Sequence, residues 1–453
     1  MTIKSTDSQI DQQIKQFEHH HMQIPWHDIM TSDNYTPAAK STLVDRSLIV
    51  GRIGLMLLSC GTGAWRVRDS MNIAARQLKM TCSAEIGLTS IEYTCMDEHQ
   101  SYSQSLSLAS TGVNTSKLAK LESFMKMFEE RGGEMTIGEI HNTLSKIAKT
   151  KGYYTPLKVG LAAGLACAAF IFLLGGGPVE MFCCFFGATV GNFVRRKLID
   201  HHITLLACIA VAVIFACVTY FFVLNALEVT WHVGARHEAG YIGAMLFIIP
   251  GFPFITSGLD MSKLDMASGL ERLTYALMII IVATMSGWLV AMCLHLHPQN
   301  FLPLGLTPMA LALLRMAMSF CGVFGFSIMF NSTVRLAALA GCIGAVANTL
   351  RLELVDLLQM PGGAAAFLGA LTAGLLASVV RHQVGYPRIA ITVPSIVIMV
   401  PGLYMYRSMY NMGLTSVSVG AFWLVQAALI VIALPLGLTT ARILTDPKWR
   451  HNG

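Results

Sequence analysis

From Leu157 onward the chain is a succession of apolar segments, approximately 157–175, 178–194, 203–224, 239–258, 271–294, 307–330, 334–350, 362–380, 389–406 and 416–440. A helix needs about 20 mostly apolar residues to cross a bilayer. Ten such runs, spaced about 28 residues apart, leave room for a crossing and a short loop each. No single soluble core buries that much apolar chain. Charge is correspondingly scarce: Asp, Glu, Lys and Arg make up 13% of the chain, against about a quarter in soluble domains.

The positive charges orient the spans. Residues 1–156 balance 16 basic against 16 acidic side chains, so the whole formal charge of +6 belongs to the apolar part. With the amino-terminal region in the cytoplasm, Lys158, Arg195, Arg196, Lys197, Lys263, Arg272, Arg335, Arg381, Arg388, Arg442, Lys448 and Arg450 fall inside. Arg236, Arg351 and Arg407 then fall outside, and Arg315 lies within a span. Cytoplasmic loops carry the excess of Lys and Arg, so both termini are expected in the cytoplasm and the chain in the inner membrane. A basic excess of this kind does not imply nucleic-acid binding, and no basic stripe with interleaved aromatics accompanies it.

Residues 1–40, with His19 to His21, read as a disordered arm, and 41–153 as a cytoplasmic α+β domain. Val44–Cys60 is too short and too charged to span and is expected as a core helix, followed by a second over Arg66–Lys79. Glu85–Cys95 and Ser103–Ser110 predict a hairpin about the turn Asp97–Gln100. Asn114 caps a helix over Lys117–Glu130, and Thr136 with Glu139 has the spacing of a helix start. Membrane repeats are expected over 154–300 and 301–445, with a tail at 446–453.

The repeat rests on two matches. Val190-Gly191-Asn192-Phe193-Val194-Arg195 aligns with Val346-Ala347-Asn348-Thr349-Leu350-Arg351, and Pro250-Gly251 with Pro401-Gly402, which sets Asp260 opposite Asn411. Five spans per copy is an odd number, so the second copy must run inverted. The expected fold is therefore an α-helical polytopic membrane protein of about ten transmembrane helices in two inverted five-helix repeats, preceded by a small α+β soluble domain. Inverted repeats characterise many secondary transporters, whose substrates bind where helices are broken near the midplane.

Each fourth span is interrupted, at Ile249-Pro250-Gly251-Phe252-Pro253 and at Val393-Pro394-Ser395 through Pro401-Gly402. Proline deletes a helix hydrogen bond, and lipid cannot satisfy the freed backbone groups. Pro250, Gly251, Pro401 and Gly402 are thus candidate substrate contacts, completed by Thr256, Ser257, Tyr404 and Asn411. A packing kink without a ligand is the alternative. Asp260, just beyond the first break, is a candidate for the coupling proton or a solvated interfacial carboxylate. Asn192 and Asn348 offer neutral donors and acceptors to a small polar substrate, or hydrogen bonds between helices. Arg315 either pairs with a carboxylate or snorkels. The 11 cysteines fit no metal-ligand spacing, and neither a metal nor a cofactor is expected.

No phosphate-binding loop, nucleophile elbow or H-E-x-x-H motif occurs, so neither an enzyme nor ATP-driven transport by this chain is indicated. The two Pro-Gly segments, Asp260 and the stretch Gly61–Ala75 resemble the threonine/serine exporter family over about 43–440. The resemblance implies a cytoplasmic amino-terminal domain, ten membrane helices, and export of threonine and serine driven by protons. A two-polypeptide branch of that family is associated with dicarboxylates such as succinate, whereas this chain carries both halves fused. The serine-rich stretch Ser101–Gly112 departs from the amino-acid exporters. A channel, or a membrane sensor regulated by the soluble domain, is the remaining alternative. The expected partners are the substrate, protons and lipid.

Overall fold

The computed structural model describes residues 24–450 apart from Pro25, His27, Asp28, Met30, Asp33, Val233, Gly234, His297 to Asn300, Gly385 and Thr415. His19 to His21 lie outside the described residues. The chain divides into two compact units at Lys151 and Gly152.

Among its described residues the first unit packs four α-helices with a small sheet: α1 (Leu43–Ser59), α2 (Ala64–Gln77), β1 (Thr81–Ile86), β2 (Ser90–Met96), β3 (Ser101–Ser107), α3 (Thr115–Arg131) and α4 (Ile137–Ala148). The helix starts follow their caps: Asn114 Oδ1 accepts from Lys117 N at 3.0 Å and Thr136 Oγ1 from Glu139 N at 3.2 Å. The expected hairpin about Asp97–Gln100 forms between β2 and β3, and β1 extends it to a three-stranded antiparallel sheet in the order β1-β2-β3. Glu85–Cys95 does not form one strand, because the chain reverses where Gly87 N donates to Ser90 O at 2.8 Å. Ile91 sits opposite both Ile86 and Leu106, and these three side chains are buried. The unit also begins before residue 41: Ala38 is buried, and Pro37 bridges to Thr136.

Arg46 pairs with Asp97 at 2.6 Å, and Arg52 reaches His141 Nδ1 at 2.7 Å and Ser145 Oγ at 2.8 Å, tying α1 to the sheet and to α4. The Asp45 carboxylate collects Thr31 N at 2.8 Å, Ser32 N at 2.9 Å and Thr42 Oγ1 at 2.7 Å. Burial acts to raise its pKa, but these bonds and that from the Ser32 hydroxyl outweigh it and hold Asp45 below 3.8. A folded value below the unfolded one makes its contribution complete above about pH 4 and lost as pH falls through the folded value. In thermal melts of the full chain, Asp45→Asn should lower the stability of this unit by about 1–3 kcal/mol at neutral pH. The gap from wild type should close below pH 4.

Among the described residues, the second unit holds seven helices long and apolar enough to cross a membrane. They are α5 (Pro156–Leu173), α7 (Leu205–Trp231), α10 (Met266–Cys293), α11 (Pro308–Met329), α12 (Val334–Leu358), α13 (Gly362–Val384) and α16 (Val417–Thr445). Two helix pairs, bent by 54° and 48°, pass the same test of length and composition when each pair is taken as one span. The first runs from His237 through α8 (Tyr241–Ala244) to α9 (Gly251–Met261), and the second joins α14 (Arg388–Val397) to α15 (Gly402–Leu414). The tenth element, α6 (Pro178–Asp200), has the length of a span but carries Glu180, Arg195, Arg196, Lys197 and Asp200. A four-residue helix, α17 (Pro447–Arg450), closes the chain as described. Large apolar side chains such as Phe222, Leu289 and Leu429 are more than half exposed, as lipid-facing residues of a multi-pass membrane protein must be.

Two of the sequence-based spans, 178–194 and 334–350, extend well beyond their apolar runs, to Asp200 and Leu358. Helical hydrogen bonding continues through the charged turn once the side chains reach partners or the interface.

The two halves repeat one packing scheme. In each, the first helix packs on the second, the second on the third, and the third on the fifth, while the distal part of the broken fourth packs on the fifth. Between halves, α5 packs on α11, α9 on α16 and α15 on α10, the exchange a pseudo-two-fold axis requires. Inversion is visible at α5 and α11, both of which start with Thr-Pro. Tyr153 N, before α5, donates at 2.8 Å to Asn331 Oδ1, just past the end of α11. Conversely, Leu173 and Leu174 at the end of α5 share a cavity with Leu306 and Leu311 at the start of α11. The loops therefore sort to two ends: a joining end, where residues 301–306 connect the halves, and a terminal end, with the starts of α5 and α14 and the end of α16.

Candidate functional site

The two broken spans meet in the interior. At each break the residue after the proline closes a three-residue turn: Gly251 N donates to Ile249 O at 2.8 Å, and Gly402 N to Val400 O at 2.9 Å. Pro250, at φ −80° and ψ 58°, has the dihedrals of an inverse γ-turn. Proline supplies no N–H, so the ladder cannot continue through either point.

The turns interlock. A Cβ on Gly402 would collide with Ile249 Cδ1, and one on Gly251 would lie 3.2 Å from Val400 Cγ2 and 3.3 Å from Val397 Cγ1. Each glycine thus receives a side chain that precedes the other half's proline. Beside them is a cavity of about 10 Å³ lined by Met245, Ile248, Pro250, Thr284, Gly402 and Met405 among others, room for about one water molecule. Next to it Tyr241 and Tyr406, one from each half, join their hydroxyls at 2.6 Å with both rings buried. The conformation is closed at the centre.

Around this crossing the expected site residues fall into separate groups. Pro250, Gly251, Pro401 and Gly402 come together. Thr256 and Ser257 are buried, but their hydroxyls donate to Phe252 O at 3.0 Å and to Gly269 O on α10 at 2.7 Å. Asp260 lies at the terminal end of α9, fully buried, with Arg272 Nε 3.0 Å from its Oδ2. It is therefore not a solvated interfacial carboxylate, and Arg272, assigned above to a cytoplasmic connection, is 3% exposed on α10. Arg388 and Arg442 at the same end are also buried.

Tyr404 and Asn411 lie toward the joining end: the Tyr404 ring sits 5.0 Å from that of Trp423, and Asn411 Nδ2 donates to Arg407 O at 2.7 Å. The paired asparagines differ. Asn348 Nδ2 donates to Ser319 Oγ at 2.8 Å while its Oδ1 accepts from Arg351 Nε at 3.0 Å. Asn192 is fully buried, and among the described residues neither amide atom has a hydrogen-bond partner. Arg315 does pair, with Glu353 at 2.9 Å and with Asp356. Glu180, buried at the start of α6, holds His237 Nδ1 at 2.6 Å.

Tyr241, Tyr406, Arg272 and the Glu180–His237 pair were missed by sequence reasoning. Tyr241 in the first fourth span and Tyr404 and Tyr406 in the second were the available signal for the first two. The ion pairs join residues too far apart in sequence to leave one.

Residues 48–295 match a family model described as "Putative threonine/serine exporter", and residues 315–444 match a second described as "Threonine/Serine exporter, ThrE". The chain belongs to the threonine/serine exporter family. In this exporter-family chain the two matches divide where the halves are joined, so each broken span falls within one of them. Two curated relatives are similar to part of the chain: the "Probable succinate transporter subunit YjjP" of Klebsiella aerogenes and that of Escherichia coli K12. Each is 24% identical over 244 residues, covering 52% of this chain and 90% and 91% of the relative respectively. No solved structure matches. Membership places the chain among membrane transporters rather than enzymes.

Proposed function

We propose that the chain is a secondary transporter that exports small amino acids, threonine and serine, from the cytoplasm, driven by the proton gradient. The observation that carries this reading is the reciprocal meeting of two broken spans at a pseudo-two-fold axis. Rocking one repeat against the other would part the Ile249–Gly402 and Val400–Gly251 contacts. Backbone groups at the two prolines would then face a substrate, as at the broken helices of other inverted-repeat transporters. Asn192, Asn348, Tyr404 and Asn411 are the polar groups nearest in role, and Thr256 and Ser257 would contribute by exchanging their present backbone partners. Asp260 is the coupling group, with Arg272 as the countercharge that proton uptake would release.

A second reading has its own support. The curated relatives carry the name of a succinate transporter subunit, and a dicarboxylate shares the carboxylate of an amino acid. Cells overproducing the chain and fed a threonine-containing dipeptide should release threonine several-fold faster than cells without it. Unchanged threonine release with faster succinate release would select the dicarboxylate. A protonophore should abolish either flux if protons drive it, and an undiminished flux would remove proton coupling.

The joining end is proposed to face outward, because twelve basic residues belong to the other end. In a cysteine-free background, Leu302→Cys, in the exposed loop that joins the halves, should react with an impermeant maleimide in intact cells. His201→Cys should react only after permeabilisation. The reverse pattern would invert the topology.

A further inference from the structure

The alignment that reveals the repeat pairs Asn192 and Arg195 on α6 with Asn348 and Arg351 on α12. Three residues apart on a helix, each asparagine and its arginine share one face. Because the copies are inverted, the first pair lies toward the terminal end and the second toward the joining end. The two pairs differ in one respect. Asn348 is satisfied twice: its Oδ1 accepts from Arg351 Nε at 3.0 Å, and its Nδ2 donates to Ser319 Oγ at 2.8 Å. Asn192 is equally buried, yet neither amide atom has a hydrogen-bond partner among the described residues. Arg195 Nε is likewise buried and unbonded, although the same spacing lets Arg351 reach its asparagine.

The surroundings explain the difference. Aligning the Thr-Pro starts of α5 and α11 sets Cys167 in the place of Ser319, and a thiol is too weak an acceptor to replace the hydroxyl. The groups that act electrostatically on Arg195 are Arg196, Tyr275 and Cys208, so among the described residues no carboxylate offsets its charge. Arg196, by contrast, donates to Met329 O at 3.2 Å and lies near Asp200. Arg195 is only partly buried, which leaves its planar fork within reach of a solute at the terminal end. The pair also adjoins the first break. A Cβ on Gly191 would lie 2.8 Å from Ala212 O on α7 and 3.0 Å from the ring of Phe247, three residues before Pro250. A buried amide with neither atom bonded is costly, and its chemistry specifies what would relieve it: one acceptor for Nδ2, one donor for Oδ1, and an anion for the neighbouring guanidinium.

We propose that Asn192 and Arg195 receive a small α-amino acid from the terminal end, Arg195 and Asn192 Nδ2 holding its carboxylate and Asn192 Oδ1 its ammonium group. A dicarboxylate would answer Arg195 and Nδ2 but bring no donor to Oδ1. Asn348 and Arg351, bonded to one another, are the corresponding pair in its closed state. The amino acid as cargo rests on the exporter reading above, whereas the site itself does not. Binding of radiolabelled threonine to the purified full-length protein tests it without requiring flux. Binding should be saturable, threoninamide, which lacks the carboxylate, should not compete, and succinate should compete about tenfold more weakly than serine. Arg195→Gln should raise the Kd about tenfold or more, and Arg195→Lys less, because lysine keeps the charge and loses the fork. Asn192→Leu should raise it similarly while the thermal midpoint stays level or rises, since an apolar side chain of like size removes an unbonded amide.

Weaker binding in a variant that is no less stable separates a ligand contact from misfolding. A lower midpoint in Asn192→Leu would mean that the amide is bonded within the protein, and would overturn the site. No saturable binding to the wild type, or equal Kd values in wild type, Arg195→Gln and Asn192→Leu, would overturn it too and leave the exporter reading standing. Succinate competing as well as serine would overturn the choice of an amino acid. Threonine binding that depends on both residues, with no threonine flux in proteoliposomes, would support the site and sink the exporter reading.

Discussion

Gly402→Leu should abolish transport while the protein remains inserted in the membrane at its normal level. The position has no room for a side chain, since even a Cβ would collide with Ile249 Cδ1 and come within 3.2 Å of Leu246 Cδ2. Overpacking a closed core costs about 1–3 kcal/mol, which a helix bundle of this size tolerates. The two breaks, however, could no longer seat against each other, and the closed centre would be lost as one end state of the cycle. Gly402→Ala is the graded test. The atom it meets is the far end of an isoleucine, so the variant should retain about a tenth of wild-type flux on the same overpacking scale. Ile249→Ala in the same chain should restore most of the remainder. Normal flux in Gly402→Leu would remove the crossing from the transport path. Failure of Ile249→Ala to rescue Gly402→Ala would show that the reciprocal contact is not what the glycine serves.

The second large effect concerns Asp260 and Arg272. Both are buried and their charged atoms lie 3.0 Å apart. Removing one member of such a pair strands the other charge, at a cost of about 3–5 kcal/mol. Asp260→Asn should therefore fold poorly on its own, and Asp260→Asn with Arg272→Gln should recover the protein level because no bare charge remains. The recovered double variant separates folding from coupling. If Asp260 takes up the coupling proton, the double variant exchanges labelled substrate across the membrane but no longer accumulates it against a gradient. Uphill transport at the wild-type rate by the double variant would reduce the pair to a structural tie between α9 and α10. A well-folded single variant would instead mean that Arg272 finds another partner, and Glu271, the other carboxylate acting on it, would be the one to examine.

Much of this molecule is legible in its sequence. The apolar runs required a membrane bundle because their total length exceeds what a soluble core can hide. The caps at Asn114 and Thr136 announced their helices because capping is a local contact between residues three apart. Proline at 250 and 401 had to interrupt a helix wherever it sat, and the bends of 54° and 48° are the result. Even the inversion of the repeat followed from an odd number of spans per copy.

What the sequence left open depends on contacts between distant residues. Glu85–Cys95 alternates like a single strand, and only the pairing of Ile86 with Ile91 turns it into two. Asp260 reads equally as a surface carboxylate or a buried one, and the fold decides by setting Arg272 beside it on the next helix. Thr256 and Ser257 read as substrate ligands, yet a hydroxyl in a dry helix bonds to the nearest carbonyl, and the packing supplies one to each. Tyr241 and Tyr406 stand 165 residues apart and share a hydrogen bond because the inverted repeat brings the two fourth spans to a common axis. Local chemistry, acting within a few residues, set where helices start, break and enter the membrane. The tertiary structure decided which polar groups meet at the crossing, because burial leaves each of them to be satisfied by whatever the other half of the chain brings near.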